Sequence, residues 1–359
     1  MLLDLCAMGK VYVNDIKLRK MEDKKNFKIL CIDGGGIKGL YSAQVLAKFE
    51  ESFNTRLSDH FDLICGTSTG GIIALAASAK IPMVDVVKFY EEHGPNIFAS
   101  KWKIFAKLGN NILAFKQALF TSKYSQKPLR NALVSVFGNK TIKESWNLLC
   151  IPAYNLSNAK PRIFKRDYDT LDQDGNKTYV DVALATAAAP TYLPIKEIEN
   201  LDYVDGGLFA NNPVVVGLTE YLYKWANRGM FDGVDILSIS SCEKSLGWSP
   251  KGRRLSFLKW SDYLFDCYSH GQALSDEFFI QQLINSDSLK FKLNVVRVAN
   301  NPLSGQQEKY VSMDNASKHS IKVLNQIGKA TDALYKEKGE VKAFFKTKKT
   351  INPEDYGKQ

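Results

Sequence analysis

A chain of 359 residues, 45% hydrophobic and 24% charged, has enough apolar material for a large core and excludes general disorder. Its formal charge of +10 favours anionic partners, whether phospholipid head groups, nucleotides or nucleic acid, without choosing among them. Six cysteines without a C-x-x-C pair fit a reduced, cytosolic protein.

The opening MLLDLCAMGKVYVNDIKLRK lacks the pattern of a secretory signal. Residues 1–26 read as a weakly patterned lead, with Met21 an alternative start. FKILCID (27–33) is a short β-type run that ends in GGGIKG. LYSAQVLAKFEESF then places Leu40, Val45, Leu46 and Phe49 close to helical spacing. HFDLICG (60–66) predicts a second strand. TSTGGIIALAASAK predicts a helix small or apolar on nearly all sides, which implies burial. Strand, Gly turn, helix, strand, sharp turn, helix is the order of a parallel sheet covered by helices on both faces. The longest uncharged stretch, between Asp62 and Lys80, is too short and too broken by Gly, Ser and Thr to span a bilayer.

VDVVKFYEEHG predicts a helix ended by Gly94-Pro95. Residues 101–135 look helical, with an interruption at Gly109-Asn110-Asn111. SWNLLCIPAYNL and PRIFKRDY predict strands, and Asp174-Gly175-Asn176 a turn. DILSIS (235–240) and SLKFKLNVVRVA (288–299) predict two more strands, and residues 317–345 one long amphipathic helix. One main domain is expected: a core over 27–220, with 221–359 a C-terminal part of the same body.

Three motifs carry chemistry. Gly66-Thr67-Ser68-Thr69-Gly70 is a G-x-S-x-G between a strand and a buried helix. A serine aimed into a cleft from a strand-to-helix turn needs small flanking residues; a tightly packed Gly/Ser turn is the bland alternative. Gly34-Gly35-Gly36-Ile37-Lys38-Gly39 can be a dinucleotide fingerprint or an oxyanion hole. The fingerprint wants a strand ending in Asp or Glu about 20 residues on, and the helical AKFEESFNTRLSD stands there instead. The neighbouring serine motif favours the oxyanion reading, in which glycine N–H groups meet a developing negative oxygen. Asp205-Gly206-Gly207 is either a hairpin turn or a carboxylate that takes the serine proton. His60 stands at the wrong end of its strand to reach Ser68, and His93, His270 and His319 have no catalytic motif around them.

GGGIKG, GTSTG and DGG, in that order and together with ATAAAPTYLPI (185–195), resemble the patatin-like phospholipases over roughly residues 27–220. The resemblance implies an α/β, three-layer fold with a mainly parallel central sheet, and lipid acyl-ester hydrolysis by a Ser–Asp dyad without histidine. It implies Ser68 as nucleophile and Asp205 as base. Gly34, Gly35 and Gly36 become the oxyanion segment, with Gly35 and Gly36 as donors; Lys38, Gly39, Gly66, Gly70, Gly206 and Gly207 support the motifs. Lys38 replaces the family's usual arginine, which keeps the charge but loses the fork of donors.

The match is similar to bacterial members that a cyclic dinucleotide, such as cyclic GMP-AMP, switches on in anti-phage defence. It implies a cytoplasmic enzyme acting on phospholipid at the inner face of the cell membrane, with no nucleic-acid partner and no cofactor beyond such an activator. An oligomer stays open. An unregulated housekeeping hydrolase is the alternative. A non-enzymatic lipid- or nucleotide-binding protein is disfavoured because both Ser68 and Asp205 are present.

Two surface expectations follow. Lys101, Trp102, Lys103, Phe105, Lys107, Ile112, Phe115, Lys116 and Leu119 suit an anionic bilayer interface or a cap helix on the core. Trp248, Arg253 and Arg254, near Lys251, Phe257 and Trp260, offer cations and flat faces to a cyclic dinucleotide, or form a solvated basic loop. Thr170, Asp172, Asp174, Gly175 and Asp181 fall near calcium-loop spacing, but Thr opens the set and Asp replaces the closing Glu; a β-turn is expected there and no metal.

Overall fold

The computed structural model describes residues 25–99, 122–169, 171–244, 257–286 and 289–355. Strand β1 (Lys25–Ile32) lies between β2 (Leu63–Gly66) and β7 (Phe231–Ile239), parallel to both. β3 (Leu148–Asn155) continues the parallel set beyond β2, and β8 (Lys292–Val298) beyond β7. β4 (Lys160–Lys165), β5 (Lys196–Ile198) and β6 (Leu201–Asp205) join antiparallel. The sheet has eight strands.

The strands read as apolar runs because both faces are covered. Leu30, Ile32, Ile64 and Leu237 point into one core, and Phe27, Ile29, Leu63 and Ile236 into the other, as the period of two requires. Helices α1 (Gly39–Ser52), α2 (Thr69–Ser78), α3 (Met83–Ile97), α4 (Gln126–Phe137) and α5 (Tyr179–Thr186) bury their apolar residues in the first core. Helix α6 (Val214–Lys224) covers the second with Val214, Leu218 and Tyr221. The expected α/β three-layer fold is the observed one. All ten residues of α2 are buried, which accounts for its small and apolar composition.

Several boundaries differ from expectation. Helix α3 runs through Gly94-Pro95 to Ile97. A Cβ at Gly94 would stand 2.7 Å from the Ile37 side chain, and Ile97 is buried; packing on the core outweighs the cost of proline in the last turn. The C-terminal helix is two, α8 (Lys318–Tyr335) and α9 (Gly339–Lys346). The break at residues 336–338 lets Phe344 turn onto Phe61 and Phe345 onto Phe53. A 28-residue helix, α7 (Phe257–Ile284), was not anticipated. The lysine- and aromatic-rich stretch 101–120 and the residues Trp248, Arg253 and Arg254 lie outside the described residues. Asp174 is buried, and it accepts from Arg162 (2.5 Å) and from the Lys165 N–H (3.0 Å).

Candidate active site

Ile32 at the end of β1 is in register with Gly66 on one side and Ile239 on the other. The turns that follow β1, β2 and β7 therefore open at one edge of the sheet, where α/β proteins place their ligands. The strand β3 explains how Asp205 gets there. Cys150 pairs with both Cys65 and Lys165, while Ala153 pairs with both Arg162 and Asp205. A strand has two edges and β4 occupies one from Cys150 to Asn155, so β2 and β6 share the other in succession. The β2–β3 register is a constant offset of 85 (63 to 148, 65 to 150), and two residues past Gly66 it would set Ser68 opposite Ala153. Asp205 already holds that place. The chain must leave the sheet at Ser68, and it does so beside Asp205.

The exit is sharp. Ser68 has φ 55° and ψ −123°, a conformation that costs a non-glycine residue on the order of 1–3 kcal/mol. Its N–H donates to the Thr186 hydroxyl (3.0 Å), which in turn donates to the Pro152 carbonyl (2.5 Å). The flanking glycines are there for space: a Cβ at Gly66 would lie 2.1 Å from the Gly70 carbonyl oxygen, and one at Gly70 2.2 Å from that of Ile32. The spacing of G-x-S-x-G is thus a packing requirement on both sides of one strained serine.

The Ser68 hydroxyl donates to Asp205 Oδ2 at 2.7 Å, and Oδ1 of the same carboxylate accepts the Gly207 N–H at 2.7 Å. Asp205 has no exposed surface. Burial pushes its carboxyl up to about 7, against the pull of the bonds from Ser68 and Gly207. A carboxylate is ordinarily too weak a base for a serine hydroxyl; this shift brings it toward neutral pH, where general bases work best. None of the four histidines hydrogen-bonds to either residue. His60 is held by Thr55 and the Thr347 carbonyl, and His319 packs on Tyr310.

The glycine segment follows β1. The N–H of Gly34 donates to the Asn211 carbonyl at 3.0 Å, so within the oxyanion segment Gly34 holds the loop and leaves the donor role to Gly35 and Gly36. Among the described residues the N–H groups of Gly35 and Gly36 have no acceptor, and Gly36 lines one cleft with Ser68. Gly36 adopts φ +59°, and a Cβ there would stand 2.1 Å from the Met313 carbonyl oxygen. Gly36→Ala should accordingly cost roughly 1–3 kcal/mol of stability and lower ester turnover about 100-fold, read by urea midpoint and p-nitrophenyl ester assay. Lys38 closes the 3-10 turn Gly36–Lys38, and Gly39 opens α1.

Sequence reading missed Thr186. The alanine-rich segment around it holds the backbone of both Ser68 and Asp205, since the Ala188 carbonyl also accepts the Asp205 N–H at 3.0 Å. The cleft that Ser68 lines is apolar, with Ile72, Phe89, Ile97, Phe98, Leu129 and Leu193 among its other walls, a lining that suits hydrocarbon. Among the described residues no helix is long and apolar enough to cross a membrane.

The family model of patatin-like phospholipases matches residues 30–218, a span that contains all four motif segments. The chain is 33% identical over 266 residues to a cGAMP-activated phospholipase of Pseudomonas aeruginosa, covering 73% of this chain and 76% of that protein. It is 28% identical over 349 residues to a cGAMP-activated phospholipase of Escherichia coli, covering 90% and 94%. Patatin-like protein 3 of Arabidopsis thaliana is 26% identical over 348 residues, covering 84% and 79%. With the family model spanning both Ser68 and Asp205 and a relative 33% identical over 73% of the chain, the chain belongs to the patatin-like phospholipase family.

Proposed function

We propose that the chain hydrolyses acyl esters of membrane phospholipids, as a phospholipase of the A type, through a Ser68–Asp205 dyad and an acyl-enzyme. The observation that carries this reading is the 2.7 Å bond between the Ser68 hydroxyl and a carboxylate with no exposed surface, beside an apolar cleft that Ser68 lines. Asp205 takes the proton as Ser68 Oγ attacks the ester carbonyl. The Gly35 and Gly36 N–H groups receive the developing oxyanion. The tetrahedral intermediate expels the lysolipid, which leaves with that proton. Asp205 then draws a proton from water as the water attacks the acyl-serine; the bond to Ser68 Oγ breaks, the proton on Asp205 returns to Oγ, and the fatty acid departs.

The names of the Pseudomonas aeruginosa and Escherichia coli relatives support a further part of the proposal: a cyclic dinucleotide such as cyclic GMP-AMP switches the enzyme on, in anti-phage defence, at the inner face of the cell membrane. The net charge of +10 suits both an anionic bilayer and an anionic activator. The test is fatty-acid release from phospholipid vesicles with and without a panel of cyclic dinucleotides. One member of the panel is expected to raise release about tenfold or more. Equal release throughout would leave an unregulated hydrolase, and no release under any condition would overturn the enzymatic reading.

A further inference from the structure

Helix α7 touches the glycine segment's supports at four points. Gln272 Oε1 accepts the N–H of Asn211 (2.6 Å) and of Asn212 (3.2 Å), and the Asn211 carbonyl is the acceptor of the Gly34 N–H. Glu277 pairs with Arg297 at 2.8 Å. Arg297 in turn grips Asp33, the residue before Gly34, through both guanidinium ends (3.0 and 2.7 Å). Phe265 packs with Met313, whose carbonyl accepts the Ile37 N–H at 2.8 Å. The Tyr268 hydroxyl donates to the Leu208 carbonyl, just past Asp205-Gly206-Gly207. Residues 33–37 are thus held at Asp33, Gly34 and Ile37 by partners that α7 touches, beside the bond from the Asp33 N–H to the Ile239 carbonyl (3.1 Å).

The same helix is weakly anchored for its length. Phe265, Ser269, Ala273 and Ile280 are its buried positions among the described side chains, a single narrow stripe, while Leu264, Leu274, Phe278 and Phe279 are half exposed or more. Its docking therefore rests largely on the polar contacts just named. Polar contacts of this kind contribute about 1 kcal/mol each, more where a charge takes part.

We infer that Gln272 and Glu277 are positioning residues for the oxyanion segment, so that the Gly35 and Gly36 donors are aligned only while α7 is docked. The inference rests on the dyad reading above and deepens it, because it makes the site's activity depend on one helix outside the three motifs. Donor alignment matters steeply: a displacement of about 1 Å can cost on the order of 100-fold in rate.

The experiment measures kcat and KM for a soluble p-nitrophenyl ester with the cyclic dinucleotide panel present, and Ser68 labelling by a fluorophosphonate under the same conditions to count active molecules. Gln272→Leu keeps the side-chain bulk and removes the acceptor; it should lower kcat about 10- to 100-fold, with KM within about twofold of wild type. Gln272→Glu combined with Asp276→Asn restores an acceptor without adding charge, and should return kcat to within about threefold. Phe278→Ala, on the exposed face, should match wild type. Should Gln272→Leu fail to fold, Glu277→Gln serves, with a kcat loss of about tenfold expected from the weakened hold on Arg297. Wild-type kcat in Gln272→Leu or Glu277→Gln would overturn the inference, as would a charge-neutral restoration no faster than Gln272→Leu. In both cases wild-type turnover and Ser68 labelling leave the dyad intact. A wild-type chain that neither turns over nor labels would overturn the dyad and this inference together.

Discussion

Ser68→Ala and Asp205→Ala should each lower ester hydrolysis by about 10⁴-fold or more, and the double variant should be no worse than either single one. The two residues share one proton along a 2.7 Å bond, so removing one leaves the other without a task. Ser68→Ala removes the atom that carries the acyl group in the proposed mechanism. Asp205→Ala leaves the hydroxyl with no base, since no histidine hydrogen-bonds to it and Asp205 is its acceptor. Residual turnover in both should come from the cleft and the glycine donors alone. Steady-state assays on folded protein, verified by circular dichroism, check the expectation; losses that multiply in the double variant would mean that the residues act separately.

Asp205→Asn should do the opposite to stability. Asn keeps the shape, and its amide can accept from Gly207 and donate to Ser68. In the unfolded chain Asp205 loses its proton near the ordinary carboxylate value of about 3.9. In the folded protein burial holds the proton until about pH 7. Between these values the unfolded state binds fewer protons than the folded one, so stability falls as pH rises from about 4 to about 7, and then levels off. The variant escapes this penalty. At pH 8 it should be more stable than wild type by roughly 2–4 kcal/mol, and near pH 4 the two should coincide. Urea midpoints at the two pH values measure the difference. Wild-type kcat/KM should rise about tenfold per pH unit up to about 7 and then flatten, as expected for a base that must be ionised. A base that destabilises the fold it serves is a stability–activity trade-off located on one carboxylate.

How much of this was legible beforehand depends on how local each feature is. Ser68 and its glycines can be found in the sequence because the steric demand acts over five consecutive residues. Asp205 was found by family resemblance; its placement follows from β6 taking over the β3 edge that β2 vacates, a relation between segments more than 130 residues apart. Thr186 showed no signal, because its role lies in a hydroxyl that meets Ser68 N–H only after folding. The part Gly34 plays in the segment was hidden for the same reason: its N–H partner is the Asn211 carbonyl. Helix α7 escaped notice because exposed Leu264, Leu274, Phe278 and Phe279 blur the periodicity that its narrow buried stripe would otherwise show. Pro95 misled because a local rule was set against the buried contacts of Gly94 and Ile97.

The account turns on an acyl group passing through Ser68. The most direct measurement is mass spectrometry of peptides from the full chain, quenched in acid during turnover of dipalmitoyl phosphatidylcholine vesicles with a cyclic dinucleotide panel present. The prediction is a palmitoyl ester on the peptide that contains Ser68, absent from Ser68→Ala, and lost when the quench follows substrate exhaustion. Fatty-acid release at the wild-type rate with no acyl group on Ser68, or with undiminished release by Ser68→Ala, would contradict it.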